Sequence, residues 1–142
     1  MTLHVEVVVA DRELWAGDVG MVIAKTLDGD IGLLTGHPPV LGILAEGSVV
    51  RILDPADDAS EAVVAAARGE ITVAVSGGFL SVSDDRVSIL AVDAQLGAEV
   101  DKAAARSELE SALTEAGSPP PAEEPAEVRY ARAQLRAAGE QA

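Results

Sequence analysis

The chain has 142 residues, is 49% hydrophobic but only 2% aromatic, contains no cysteine, and sets 10 Lys and Arg against 24 Asp and Glu for a net charge of −14. These values suit one domain, or a body of ~95 residues with a short appendage, and require a core of Val, Ile, Leu and Ala. They exclude disulfide frameworks, thiolate zinc centres and Cys nucleophiles. They also argue against nucleic-acid binding, since the part through Gln95 (5 basic, 15 acidic) and the part beyond it (5 and 9) are both net negative.

The N-terminus, Met1-Thr2-Leu3-His4-Val5-Glu6, lacks the basic and apolar regions of a signal peptide, and no apolar run approaches the ~18 residues needed to span a bilayer. An unexported protein without direct membrane insertion is expected. Leu3, Val5, Val7 and Val9 alternate with Thr2, His4, Glu6 and Val8, the period of a strand with one buried face. Asp11-Arg12 reads as a turn into Leu14-Trp15-Ala16, and further β-rich runs cover 19–27, 31–34, 40–45, 48–53, 71–76, 79–82 and 86–92. Between them stand Asp28-Gly29-Asp30, Gly36-His37-Pro38-Pro39, Glu46-Gly47, Gly77-Gly78 and Asp84-Asp85, all turn-forming sequences. Short strands so punctuated predict an antiparallel sandwich or flattened barrel. The stretch 54–69 opens as a loop and is read as a partly extended hairpin inserted between two strands.

Beyond Gln95 the composition turns to strong helix formers. A helix is predicted over 99–116, with Ala105, Leu109, Ala112, Leu113 and Ala116 on one face and Ser107, Glu108, Ser111 and Glu115 on the other. Gly117-Ser118-Pro119-Pro120-Pro121 ends it, and a second helix follows over 126–138 with Val128, Ala131, Leu135 and Ala138 as its apolar stripe. Arg129, Arg132 and Arg136 share a neighbouring stripe. Both apolar stripes are mostly Ala, so light docking and an arm able to swing away are predicted.

Little here carries chemistry. His4 and His37 are isolated in different elements and offer no converging metal ligands. Asp28/Asp30 and Asp84/Asp85 sit at turn tips, without the burial that separates the pKa values of an acid–base pair. Ser76-Gly77-Gly78-Phe79 lacks the Lys and following helix of a phosphate loop, so its glycines are assigned to a tight reversal or a close backbone approach. Lys25 raises a rival reading as the modified lysine of a carrier domain, but it sits inside a strand-like run rather than at a hairpin tip. An acidic adaptor binding some other protein is the second alternative.

The order of motifs is specific. LHVEVVVADRELWAGDV at 3–19 resembles the first hairpin of the epsilon subunit of F-type ATP synthases. Gly29-Asp30-Ile31-Gly32-Leu33-Leu34-Thr35-Gly36-His37-Pro38-Pro39-Val40-Leu41 is similar to that family's GEIGILPGHAPLL stretch. Val75-Ser76-Gly77-Gly78-Phe79-Leu80-Ser81-Val82, followed by Val87-Ser88-Ile89-Leu90-Ala91, is a further match, and the helical pair completes the likeness over nearly the whole chain.

The resemblance implies an α+β protein: a ten-stranded antiparallel β-sandwich over 1–95 and an antiparallel α-helical hairpin over 96–142. It implies a non-catalytic rotor subunit of the central stalk, peripheral on the cytoplasmic face of the energy-transducing plasma membrane, helping to couple proton flow to ATP synthesis. The sandwich would bind the gamma subunit and the polar loops of the c-ring, and no cofactor or metal is implied. Asp28, Gly29, Asp30, Ile31, Gly36 and His37 match the segment facing the c-ring. Arg129, Arg132 and Arg136 match the basic second helix that meets the catalytic alpha/beta subunits and restrains ATP hydrolysis. Some relatives bind ATP through Ile/Leu-Asp-x-x-Arg-Ala on the first helix. Here Val100-Asp101-Lys102-Ala103-Ala104-Ala105 keeps the acid at Asp101 but has Ala104 in place of the arginine, and Arg106 lies about 200° further round. ATP sensing is therefore not expected. The family supplies no role for 54–69.

Overall fold

A computed structural model describes residues 3–53, 70–117 and 124–139. The hairpin read at 54–69 and the prolines at 119–121 lie outside the described residues.

The strands are β1 (Leu3–Val9), β2 (Arg12–Val19), β3 (Met21–Thr26), β4 (Gly29–Leu33), β5 (Val40–Leu44), β6 (Ser48–Leu53), β7 (Glu70–Val75), β8 (Gly78–Ser83), β9 (Arg86–Ala91) and β10 (Ala94–Leu96). A 3-10 turn at Gly97–Glu99 leads into α1 (Lys102–Ala116) and α2 (Ala126–Ala137). The apolar run predicted over 19–27 is two strands. Val19 closes β2, the Gly20 N–H donates to the Leu53 carbonyl at 3.0 Å, and Met21 opens β3. Arg12, read as part of a turn, already belongs to β2.

The sheet path runs β10-β7-β6-β3-β5-β8-β9-β1-β2, with β4 paired to β3. Its end strands β2 and β10 touch, so the sheet wraps into a flattened barrel. Among the described ladders one departs from the antiparallel expectation: β1 and β9 run parallel, from His4 opposite Arg86 to Val8 opposite Leu90. These two strands are far apart in sequence, so no tight hairpin forces them to run in opposite directions.

The alternation read in β1 is realised, with Leu3, Val5, Val7 and Val9 all buried. Val22, Val50, Ile52, Val73, Leu80, Val82, Val87 and Ile89 meet them from the other strands. Trp15 joins this cluster, its ring lying over Gly17, and its indole Nε1 has no hydrogen-bond partner. A buried donor without a partner costs free energy that its removal returns. Trp15→Phe should therefore change stability by less than about 1 kcal/mol, against about 3–5 kcal/mol for Trp15→Ala, as read by chemical denaturation.

The two helices stack outward from one side of the barrel: α2 lies on β6, β7 and the 3-10 turn, and α1 packs on α2. Asp101 caps α1 by accepting from the Ala104 N–H at 3.1 Å, and Gly117 ends it in the left-handed conformation (φ 72°). The predicted polar face of α1 is exposed, while Ala105 is buried and Leu109, Ala112, Leu113 and Ala116 are half-buried. Because α2 is covered on two sides, its burial exceeds the single predicted stripe. Ala133 and Ala137, with Tyr130, pack on Val49 and Ala74, whereas Ala138 falls just past the helix and is half-buried.

Candidate functional site

Leu27 and Asp28 form the tip of the β3–β4 hairpin, and Gly29 opens β4 opposite Thr26. Thr26 stiffens it, its hydroxyl donating to the Gly29 carbonyl at 2.8 Å and accepting from the Asp28 N–H at 3.2 Å. Asp30 stands opposite Lys25, and Ile31 turns partly into the core. Lys25 thus lies within β3, away from the hairpin tip that a carrier lysine occupies.

Gly36 and His37 sit beyond the other end of β4, separated from Asp28 by roughly 15 Å at the usual rise per residue. There the Gly36 N–H donates to Asp85 Oδ1 at 2.7 Å, and His37 Nδ1 donates to the Pro38 carbonyl at 2.7 Å. Asp84 and Asp85 hold φ of 50° and 60°, closing the β8–β9 hairpin with both residues in the left-handed region. The six residues assigned to one ring-facing loop are therefore divided between two ends of the body. His4 packs beside Asp18 (3.1 Å) and Glu6 (3.6 Å). Among the described residues no group of three or more His, Asp or Glu could hold a metal ion.

An apolar ridge is the largest feature that sequence reasoning missed. On β5, β8 and β9, Ile43 stands opposite Phe79 and Phe79 opposite Leu90, and each of the three side chains is about half exposed. Leu41 (73% exposed), Val92 (78%) and Leu27 (67%) extend the same region. The sequence does carry a signal. Val40-Leu41-Gly42-Ile43-Leu44 offers apolar side chains on both faces of a strand in an antiparallel ladder, where one face ordinarily goes to water.

Beside the ridge an open groove of about 1100 Å³ runs to α2, lined by Lys25, Glu46, Phe79, Glu124, Arg129 and Arg132 among others. The arginine stripe is engaged here. Arg132 grips the buried Glu124 carboxylate through Nε (3.1 Å to each oxygen) and Nη2 (2.7 Å), a forked pairing with the side chain just ahead of α2. Arg136 donates through Nη2 to the Gly47 carbonyl at 3.1 Å. Arg129 presses its backbone and Cβ onto Gly47, where a side chain would collide.

Tyr130 lies half-buried where α2 meets both the barrel and α1, and burial, reinforced by Asp93 and Glu108, pushes its phenol up to about 12. Because the folded chain holds this proton more tightly, stability attributable to Tyr130 is intact below the ordinary value of about 10 and is lost as pH rises toward 12. Tyr130 is the chain's single tyrosine, so ultraviolet difference titration reads it directly. The expected result is a phenolate transition near 12 in the folded protein, returning to about 10 in denaturant.

No described helix is long and apolar enough to cross a membrane. Residues 2–97 match the family model described as "ATP synthase, Delta/Epsilon chain, beta-sandwich domain". The chain is 51% identical over 137 residues to the ATP synthase epsilon chain of Thermobifida fusca, covering 96% of this chain and 91% of that one. It is 35% identical over 138 residues to the epsilon chain of Mycolicibacterium vanbaalenii, covering 97% and 96%. Its fold matches a chain in the structure of the Euglena gracilis mitochondrial ATP synthase, OSCP/F1/c-ring, with a TM-score of 0.65 at 22% identity, over 97% of this chain and 79% of that one. The chain belongs to the ATP synthase delta/epsilon family, among its epsilon chains.

Proposed function

We propose that the ridge of Ile43, Phe79 and Leu90 seats this chain on the gamma subunit, with the β3–β4 tip meeting the polar loops of the c-ring. As an ATP synthase epsilon chain the protein is a non-catalytic central-stalk subunit. One observation supports the gamma assignment above others: three cross-strand neighbours expose contiguous aliphatic and aromatic surface in a protein of net charge −14. Such a row is the usual core of a stable interface. Of the residues matched to the ring-facing segment, Asp28, Gly29 and Asp30 are free of the Asp85 contact that occupies Gly36, so the tip is the part suited to polar loops. The body would then act as a peripheral bearing on the cytoplasmic face of the membrane, carrying torque without bond chemistry.

The helices are read as a regulatory arm over 96–142 beside a sandwich over 1–95, with Arg129, Arg132 and Arg136 meeting the alpha/beta subunits. In the docked arrangement Arg132 and Arg136 are committed to Glu124 and Gly47. Contact with an acidic segment of those subunits requires that these bonds be exchanged. Asp101 serves α1 as its cap, which accounts for the acid without a nucleotide.

Chromatography of the full chain mixed with gamma tests the main reading. Stable co-elution is expected, and separate elution would refute it. For the arm, deletion from residue 99 onward should raise membrane ATP hydrolysis while leaving synthesis in place; unchanged hydrolysis would remove the inhibitory role alone.

A further inference from the structure

α2 meets the barrel by backbone contact at two places. Near its start it rests on Gly47, which has φ +64° and would be strained by any side chain. Near its end it rests on Gly97, which opens the 3-10 turn outside the positive-φ region. A Cβ on Gly97 would overlap both Thr72 Oγ1 and the Ala137 carbonyl oxygen. That carbonyl is one of the unpaired acceptors at the C-terminal end of α2, and the Thr72 hydroxyl donates to it. Gln134 adds a bond to Gln95 at 2.8 Å. The remaining contact is mostly methyl groups, Ala133 and Ala137 on Ala74 with Val49, which supply little burial.

We propose that the Gly97–Thr72 seat beneath the end of α2 is the latch that keeps the helical arm docked and Arg136 committed to the body. This rests on the reading of the helices as a movable arm. A glycine with ordinary backbone angles has no conformational need to be glycine, so space for α2 is what position 97 supplies. Filling that space would lift the carbonyl off Thr72 and with it draw the neighbouring Arg136 from Gly47. The arm and its basic stripe would then be released together.

The chain has no cysteine, so spin labels on Ser81→Cys in the barrel and Glu110→Cys on α1, both exposed, report the arm by pulsed distance measurement on the full chain. The parent should give one docked distance. Gly97→Ala should raise the undocked population by about tenfold or more, the scale of overpacking a tight contact. Thr72→Val should shift it the same way by a smaller factor, since only the hydrogen bond is lost. Fluorescence of Trp15, the chain's single tryptophan, shows whether the barrel stays folded; if Gly97→Ala fails that check, Thr72→Val decides alone. Docked distances in every folded seat variant would overturn the latch. Ala133→Glu, which forces a charge into the methyl contact, separates the two readings. Release by Ala133→Glu alone would leave a movable arm held elsewhere, and no release by any variant would overturn the movable arm as well.

Discussion

The double variant Ile43→Ser/Phe79→Ser is expected to bind gamma about 30-fold or more weakly than the parent, the loss typical of removing central hot-spot side chains. Its melting temperature should stay within about 3 °C of the parent's, because exposed substitutions on a strand change stability by a few tenths of a kcal/mol. Both side chains are half exposed and point away from the core, so the folded monomer loses little when they are trimmed. They also stand opposite one another across β5 and β8, so the two changes remove one contiguous patch. Binding measured by calorimetry or surface capture, alongside thermal melts, checks both halves of this expectation. A variant that melts normally and still binds gamma with parental affinity would place the interface elsewhere.

One position further along β8 the outcome should reverse. Leu80 is fully buried, opposite Gly42 on β5 and Ile89 on β9. Leu80→Ala leaves a cavity that Val and Ile neighbours cannot close, because β-branched side chains in a sheet have few alternative rotamers. The expected cost is about 2–5 kcal/mol, or a fall of about 5–15 °C in melting temperature for a chain of this size. With only 2% aromatic residues, the core has no large side chain in reserve to refill the space. Measured below its melting temperature, Leu80→Ala should still bind gamma, since its side chain lies on the inner face. Adjacent residues thus separate folding from assembly, a contrast set by the period of two in β8.

The same periodicity explains what the sequence made readable. In β1 every second residue is a branched apolar side chain, and burial follows that alternation position by position. The faces of α1 were legible because Ser, Glu and Ala sort cleanly at helical spacing. The features that escaped have physical reasons of their own. The break at Gly20 is marked in the run 19–27 by a lone glycine, which is also tolerated within a single strand, so the sequence does not say that one strand stops there. The β1–β9 pairing joins segments some eighty residues apart, beyond any local signal. The second buried face of α2 is built from Ala133 and Ala137, whose methyl groups look the same whether exposed or covered.

The sites divide in the same way. The Gly-bracketed stretch from Asp28 to His37 was found as a motif, yet its ends are parted by a strand and face different neighbours. The arginines were found as a stripe, but not their partners. Glu124 lies eight residues before Arg132 and is separated from it by Pro125, so no helix-spacing rule pairs them. Gly97 opens a 3-10 turn with ordinary backbone angles that other residues adopt as readily, so its need to be glycine shows only once α2 lies across it.

An exposed apolar patch on an acidic barrel is the proposed coupling of this chain to gamma. A photoactivatable crosslinker on Val92→Cys, at the exposed edge of the patch in a chain with no other cysteine, tests it in the assembled ATP synthase. A single major adduct between this chain and gamma is expected, lost when the label is moved to the far end of β8 at Ser83→Cys. Adducts confined to the c-ring or the catalytic subunits, with none to gamma, would contradict it.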